Sequence, residues 1–573
     1  MKLAVINKEK CRPDLCGHEC KKKCPVEKKE ADSCVVIDSK SRIDENTCIG
    51  CGICVRVCPF GAIDIINLPS FSEKDIVHRY GENGFALYGL PVPRKGSILG
   101  LLGRNGIGKS TAMRILSGNE MLNLGRKEAG EEEIKRHFSG NEILRYFEEL
   151  KKSKIAYKPQ NLSNLAVNVK VIDLLRKRGK ESEIKKFAER LGVSHTLNNE
   201  MNKLSGGELQ KIAIIAASLG DPDIYFYDEP LAYLDISERL RVSDFIKEIG
   251  KDKTVIVVEH DLLILDYLVE YLNIFYGNQG SYGAVSGIKT SKYGVNSYLD
   301  GFLKEENMRI RDKSITFNFT KNPSLSGVKI AQWPAFNLKF DSGFKLHVSS
   351  GEVRKNQVIG ILGRNGTGKT SFVRALAGDI KTNIGNLNLD LGISYKSQYL
   401  FTDSEETVRD VIFKDKISSK LKSVFNLGIL ATKKLKDLSG GELQRLFIAR
   451  CLSKEADIYL IDEPSAYLDV EERISVARAI KDFVTENEKT SFVVDHDLLL
   501  ISYLADSIIN FEGESGIKGK SSEVRNFEKG ISELLKSLDI TLRKDEDIGR
   551  PKINSRNSVK DREQKSRGEW AIF

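Results

Sequence analysis

The sequence predicts an α/β protein in three parts, a small cysteine-rich front followed by two copies of one larger module. Three observations lead there. Nine of the ten cysteines fall before residue 60, an apolar run leading into a glycine-rich loop occurs twice, and six short motifs recur in the same order along the rest of the chain. At 573 residues the chain exceeds what one hydrophobic core organises, so three or four domains are expected. A hydrophobic content of 40% beside 29% charged residues is a globular balance. No apolar run reaches the roughly 18 residues of a membrane span, and "MKLAVINKEK" lacks the features of a secretory leader. A cytoplasmic protein with no membrane partner is expected. The net charge of +9 is modest, but basic residues gather in "KKKCPVEKK" and "RPKINSRNSVKDREQK", a weak pointer to nucleic-acid phosphates.

In the front, Cys48, Cys51, Cys54 and Cys58 before Pro59 give C-x2-C-x2-C-x3-C-P, the run by which thiolates wrap a 4Fe-4S cluster. Cys11, Cys16, Cys20 and Cys24 before Pro25 give a looser version. In two-cluster ferredoxins the fourth cysteine of each run serves the other cluster. One cluster is therefore expected on Cys11, Cys16, Cys20 and Cys58, and a second on Cys48, Cys51, Cys54 and Cys24. Two zinc sites are the alternative, since zinc also takes four thiolates, but three close cysteines plus a Cys-Pro in each half suit a cube better. Cys34 is surplus to eight ligands and is read as a packed thiol.

The repeated motifs each have a mechanical reason. "SILGLLG" and "QVIGILG" read as buried strands that lead into "GRNGIGKS" and "GRNGTGKT", loops whose N–H groups face phosphates at a helix N-terminus. Lys109 and Lys369 would reach the terminal phosphates, and the hydroxyls of Ser110 and Thr370 would ligate Mg2+. "IYFYD" and "IYLID" read as strands bringing Asp228 and Asp462 to the metal region, and the adjacent Glu229 and Glu463 are candidate bases for the attacking water. Gln160 and Gln398 lie in "YKPQ" and "YKSQ"; "LSGGELQ" and a "YLD" occur in both halves, and His260 and His496 close "VVEHD" and "VVDHD".

The spacing differs in one interval. Lys109 and Ser205 stand 96 positions apart, whereas Lys369 and Ser439 stand 70 apart, so the first copy carries about 26 extra residues. In "NEILRYFEELKK", Ile143, Leu144, Phe147 and Leu150 recur at helical spacing with Asn141 as a possible cap, and the insert near 119–152 reads as a helix-loop-helix.

With "LSGGELQ" in each half, residues 76 to 540 resemble the ATP-binding cassette ATPases. The resemblance implies two cassettes packed head to tail around two ATPs, with Gly103, Asn105, Gly106, Gly108, Thr111, Gly363, Asn365, Gly366, Gly368 and Ser371 at the phosphates. Gln160 and Gln398 would join the Mg2+ sites. The first ATP would meet Ser439, Gly440 and Gly441, and the second Ser205, Gly206 and Gly207. His260 and His496 would sense the terminal phosphate, and Tyr80 or Phe85 would lie under the first adenine. Taken with the cysteines, "HRYGENGF", "LDGF" with "ENMRIR", and "TLRKD" with "RPKIN", the whole chain resembles the iron-sulfur subfamily E of these proteins, the RNase L inhibitor or ribosome recycling factor family. Leu231 departs from the family's usual serine in the first cassette, and Asp495 from its usual glutamate in the second.

The expected fold is therefore α/β: an N-terminal two-cluster ferredoxin-like domain (1–70) followed by two head-to-tail P-loop ABC nucleotide-binding domains (71–296 and 316–540), with a hinge at 297–315 and a C-terminal hinge and basic tail at 541–573. The resemblance implies an ATPase that splits ribosomes into subunits after termination or rescue and stays on the small subunit, linking recycling to translation initiation. Its partners would be the ribosome, chiefly the small subunit and its rRNA, a release-factor-like or rescue factor and initiation factors, and the chain would act as a monomer. The clusters would stiffen a small domain that closure moves as a lever. The alternative reading is an ATP-dependent iron-sulfur electron-transfer enzyme. A transporter subunit would not need clusters, and intervals of 96 and 70 positions leave no room for the long coiled-coil arms of DNA-repair cassettes.

Overall fold

The computed structural model describes all residues except 1, 7–9, 30–33, 45–46, 68–74, 163–164, 166, 312–313, 318–327, 386, 388, 390, 399–401 and 573. The expected boundary at 70/71, residues 312–313 of the expected hinge, and Phe573 of the expected tail lie outside the described residues. The chain divides into two compact units. Unit 1 comprises Met1–Pro230, Lys247–Glu259 and Val269–Lys313; unit 2 comprises Leu231–Ile246, His260–Leu268 and Ser314–Phe573.

The front of unit 1 pairs strand Lys2–Ile6 antiparallel with Ile63–Asn67, and Val35–Ile37 with Ser41–Ile43. Two short helices, Glu19–Lys22 and Ile53–Val57, each follow a residue in the left-handed region, His18 at φ 59° and Gly52 at φ 74°. The core between them is small: Ile6, Val35, Ile43, Ala62 and Ile63 surround Cys11, Cys20, Cys24 and Cys34. Among the described residues little apolar area is available to hold a segment of this length.

A nine-stranded sheet follows among the described residues. Tyr271–Asn278, Ser97–Leu102, Thr254–Val258, Ile224–Asp228 and Ile155–Lys158 run parallel side by side, flanked by the shorter strands Ile76–Arg79, Ala86–Tyr88 and Tyr282–Val285. Its inner strands are buried throughout, which is why they read as unbroken apolar runs. Unit 2 repeats the order with Ser507–Glu514, Gln357–Gly363, Thr490–Val494, Ile458–Asp462 and Ile393–Lys396. The sequence repeat is thus a repeat of architecture.

The extra residues of the first cassette form helices Glu131–His137 and Glu142–Leu150. Asn141 caps the second, its side chain accepting from the Ile143 N–H at 3.1 Å. Ile143 and Tyr146 are buried on the cassette core, and the Tyr146 hydroxyl donates to the Leu116 carbonyl at 2.7 Å. The stripe read from the sequence omitted Tyr146, the residue that fastens the insert to the P-loop helix.

Residues 541–572 are folded. Leu542–Lys544, Pro551–Ile553 and Ala571–Ile572 form a three-stranded sheet, and Val559–Arg567 is a helix capped by Ser558. Arg550, read as part of a basic tail, is 1% exposed and pairs with Asp266 at 2.7 Å, where Lys552 adds a second cation at 3.1 Å. Removing one partner of a buried pair strands the other, at about 3–5 kcal/mol. Asp266→Ala is accordingly expected to destabilise unit 2 by that amount, read from urea unfolding followed by Trp570 fluorescence; a loss under about 1 kcal/mol would mean that water reaches Arg550 in the folded protein.

Candidate active sites and cysteine centre

In unit 1 the buried strand Ser97–Leu102 ends in the loop 103–108, and Gly108 at φ 102° precedes helix Lys109–Leu116. A Cβ on Gly108 would meet the Phe85 ring at 2.8 Å and Leu87 at 3.0 Å, so the loop closes only with glycine there. Lys109 Nζ folds over the loop and donates to the carbonyls of Gly103 and Arg104, both at 2.7 Å. Unit 2 repeats this: Lys369 Nζ donates to Gly363 at 2.9 Å and Arg364 at 2.7 Å. Burial pushes Lys369 down to about 8 against the opposing pull of Asp235, Glu463 and Asp462. An ammonium so placed gains most from an anion in the loop.

Burial and then the neighbouring glutamate push Asp228 and Asp462 up to about 6. The buried Asp462 carboxylate has no hydrogen bond of ordinary geometry, and the nearby Thr370 hydroxyl, then Lys396 and Lys369, favour its charge. A buried carboxylate beside a P-loop hydroxyl fits a divalent cation. Glu229 and Glu463 sit at φ 46° and 48°, a costly conformation for a non-glycine residue that the flanking structure holds in place. Their N–H groups donate to Val258 at 2.9 Å and Val494 at 2.8 Å. Gln160 Nε2 donates to Glu229 Oε1 and Gln398 Nε2 to Glu463 Oε1, each at 2.7 Å. His496 Nε2 lies 3.6 Å from Glu463 Oε1. Burial raises Glu463, but His496, Gln398 and Lys369 together hold it down at about 2. His260 is buried and lines a cavity of unit 2 with Ile315, Phe317 and Tyr503.

Four further residues support these carboxylates and escaped the sequence reading. Lys158 Nζ donates to the carbonyls of Asp228 at 2.8 Å and Glu229 at 3.0 Å, and Lys396 does the same for Asp462 and Glu463 at 2.7 and 3.4 Å. Burial lowers both lysines to about 8. Gln210 and Gln444 donate to the carbonyls of Glu229 and Glu463. A signal existed: each residue recurs at the same offset in both halves, two before Gln160 or Gln398 and five after Ser205 or Ser439.

Ser205 and Ser439 cap helices Gly206–Ser218 and Gly440–Ser453 through reciprocal bonds with Glu208 and Glu442. Each signature therefore presents a capped helix N-terminus, a fitting surface for phosphate. In unit 2 a Cβ on Gly440 would meet the Tyr467 ring at 2.9 Å. Asn365 of the second P-loop donates its N–H to Asp235 Oδ2 at 2.8 Å and its Nδ2 to the Tyr233 carbonyl at 3.2 Å. The "YLD" of one repeat thus touches the P-loop of the other within one unit. Tyr80 is 37% exposed and its hydroxyl bonds Thr111 and Glu120 and accepts from Arg114, whereas Phe85 packs on Gly108. Of the two aromatics, Tyr80 is the more exposed. The hydroxyl of Ser110 is on an exposed residue at the same helix start.

In the front, Cys20 lies within electrostatic reach of Cys16 and Cys58, and Cys54 within reach of Cys48 and Cys51. Burial, then the neighbouring thiolates, push Cys54 up to about 11 and raise Cys20. Burial and mutual repulsion favour the neutral thiols, so these cysteines would ionise together only on a cation placed among them, a role that iron would fill. Among the described residues no three His, Cys, Asp or Glu side chains close round a single metal ion; sulfurs round a four-iron cube stand farther apart, because iron and sulfide fill the space between them. Cys34 is buried, lies near Thr47 and Cys24, and burial pushes its thiol up to about 12.

A family model described as ABC transporter matches residues 93–232 and 346–466, and one described as 4Fe-4S binding domain matches 41–64. The chain is 41% identical to "ABC transporter E family member 1" of Arabidopsis thaliana, over 99% of this chain and 98% of that protein. It superposes with a TM-score of 0.93 and 44% identity, over 100% of this chain and 99% of the other, on a chain of "Model of ribosome-bound archaeal Pelota and ABCE1". A second archaeal structure, the complex of ribosomal stalk protein aP1 and ribosome recycling factor aABCE1, matches with a TM-score of 0.84 and 42% identity, over 88% of this chain and 100% of that one. A cysteine-rich front, two complete P-loop modules and full-length likeness place the chain in one family: it belongs to the ABC transporter E family of iron-sulfur, ATP-binding cassette ATPases.

Proposed function

We propose that this protein is an ATP-driven ribosome recycling factor, which splits ribosomes after termination or rescue and remains on the small subunit, where recycling meets initiation. The observation that carries the reading is the full-length likeness to a chain solved on the ribosome beside Pelota. A release- or rescue-factor-like protein is then the natural partner. We assign the chain to the cytoplasm as a monomer; among the described residues no helix is long and apolar enough to cross a membrane.

In each cassette the loop amides and Lys109 or Lys369 hold the ATP phosphates. Ser110 or Thr370, with Gln160 or Gln398 and the carboxylate of Asp228 or Asp462, would hold Mg2+. Glu229 and Glu463 polarise the attacking water, with His260 and His496 sensing the terminal phosphate. The signatures at Ser205 and Ser439 complete the opposite sites, and Tyr80 carries the first adenine. ATP then favours the closed form by its differential affinity, about 1.4 kcal/mol for each tenfold shift. The contact of Asp235 with Asn365 supports this head-to-tail reading. Cys11, Cys16, Cys20 and Cys58, and Cys48, Cys51, Cys54 and Cys24, would each hold one 4Fe-4S cluster, which supplies the front with cross-links in place of a core.

Sucrose-gradient sedimentation of ribosomes with the protein, a rescue factor and ATP is the test. Subunits are expected only when all three are present, with the protein sedimenting in the small-subunit fraction. Intact ribosomes throughout, or ATP turnover that instead reduces an added electron acceptor, would sink the proposal. Iron and acid-labile sulfide analysis of the purified protein is expected to return about eight of each per chain, as two cubes require; four would reduce the assignment to one cluster.

A further inference from the structure

The two cassettes depart from each other at a pair of positions that the second joins by hydrogen bonds. The Ser465 N–H donates to Asp495 Oδ2 at 3.0 Å, and the Ser465 hydroxyl donates to Asp495 Oδ1 at 2.7 Å. Asp495 Oδ1 also accepts from the Asp497 N–H at 2.9 Å. Both residues are buried, at 7% and 1% exposure, where a carboxylate clasping a hydroxyl and an amide is shielded from water. Ser465 lies two residues after Glu463, and Asp495 directly precedes His496. The clasp therefore ties the loop carrying the glutamate to the loop carrying the histidine, whose side chains face each other at 3.6 Å. In the first cassette the position of Ser465 holds Leu231, buried at 1% and without a hydroxyl to donate, and that of Asp495 holds Glu259.

We infer that Ser465 is a positioning residue of the second ATP site, acting through Asp495 to keep His496 and Glu463 in register during hydrolysis. The first site has no hydroxyl at this position to make the same bond. Glu463 sits at φ 48°, a strained backbone that relaxes unless its surroundings fix it; Val494, Lys396 and Gln444 hold its own amide and carbonyl, and the clasp two residues on fixes the loop that follows. The inference rests on the proposed role of Glu463 as the residue that polarises water.

The test uses the full chain carrying its clusters, with Glu229→Gln silencing the first site. Ser465→Ala is expected to lower kcat about tenfold while KM for ATP stays within about twofold, because a misplaced reacting group loses rate and not ground-state binding. Ser465→Thr keeps the hydroxyl and is expected to restore kcat. Equal losses in the two variants, an unchanged kcat in the alanine variant, or a change in KM alone would overturn the inference. Amide exchange over 463–468 reports the clasp without turnover and is expected to quicken in Ser465→Ala. If the Glu229→Gln parent hydrolyses no ATP, the role given to Glu463 fails, and unchanged exchange in Ser465→Ala then rejects the clasp separately.

Discussion

Replacing Glu229 and Glu463 together by glutamine is expected to lower ATP turnover by about 10²–10⁴-fold while leaving ATP bound. An amide has the size and shape of the carboxylate but cannot take up a proton, so the loss falls on the transition state. By the rate relation this is about 3–5 kcal/mol of barrier. The surroundings tolerate the change, because Gln160 and Gln398 donate to one oxygen of each side chain, and an amide oxygen accepts that bond equally well. The backbone bonds that hold the strained glutamates are made with Val258, Val494, the buried lysines, Gln210 and Gln444 and do not involve the substituted atoms. The double variant is therefore expected to remain folded, retain nucleotide and accumulate on small subunits. Single-turnover hydrolysis, with bound nucleotide counted after gel filtration, checks both halves of the statement. Turnover within about threefold of the parent would remove the two glutamates from the chemistry.

Cys54→Ser is expected to cost ribosome splitting altogether while ATP binding changes by less than about threefold. Cys54 lies in the front core, near Cys48, Cys51 and Cys20. Among the described residues the apolar members of that core are few, so cross-links through thiolates would carry stability that a larger domain draws from burial. A serine oxygen is a poor substitute for thiolate on iron, and the loss of about four irons and four sulfides is the first expected result. The P-loops and strand-end carboxylates are built on other strands, which is why nucleotide binding is expected to persist. Iron and sulfide analysis, limited proteolysis of the front, and a fluorescent ATP analogue read these effects separately. Full splitting activity with half the iron would show that the front does not need both clusters; strong dependence of splitting on oxidation state in the parent would favour an electron-transfer role over a mechanical one.

How much of this could be read from the chain depends on the range of each interaction. The glycine loops, the buried strands, the capped signatures and the insert were legible because each is decided within a few residues: Gly108 by the left-handed φ of 102° that starts its helix, Ser205 by a capping partner three positions on, Asn141 by the next turn. Repetition made even weak motifs readable. Lys158, Lys396, Gln210 and Gln444 repeat as faithfully and could have been found that way, but their role is to hold carbonyls, and nothing in a lysine or glutamine announces that. The apolar stripe of the insert was read one residue short at Tyr146, because an aromatic with a hydroxyl is ambiguous until the Leu116 carbonyl is seen beside it.

By itself, then, the sequence determined the three-part organisation, the doubled phosphate-binding module and the cysteine runs of the front, since local periodicity and spacing specify strands, loops and cysteine spacing. Only the tertiary structure decided that Arg550 is buried against Asp266, 284 positions away, that Asp235 meets Asn365, and that Ser465 is clasped by Asp495. Such pairs are settled by where packed elements bring charges together in a dry interior, and sequence separation carries no record of that distance.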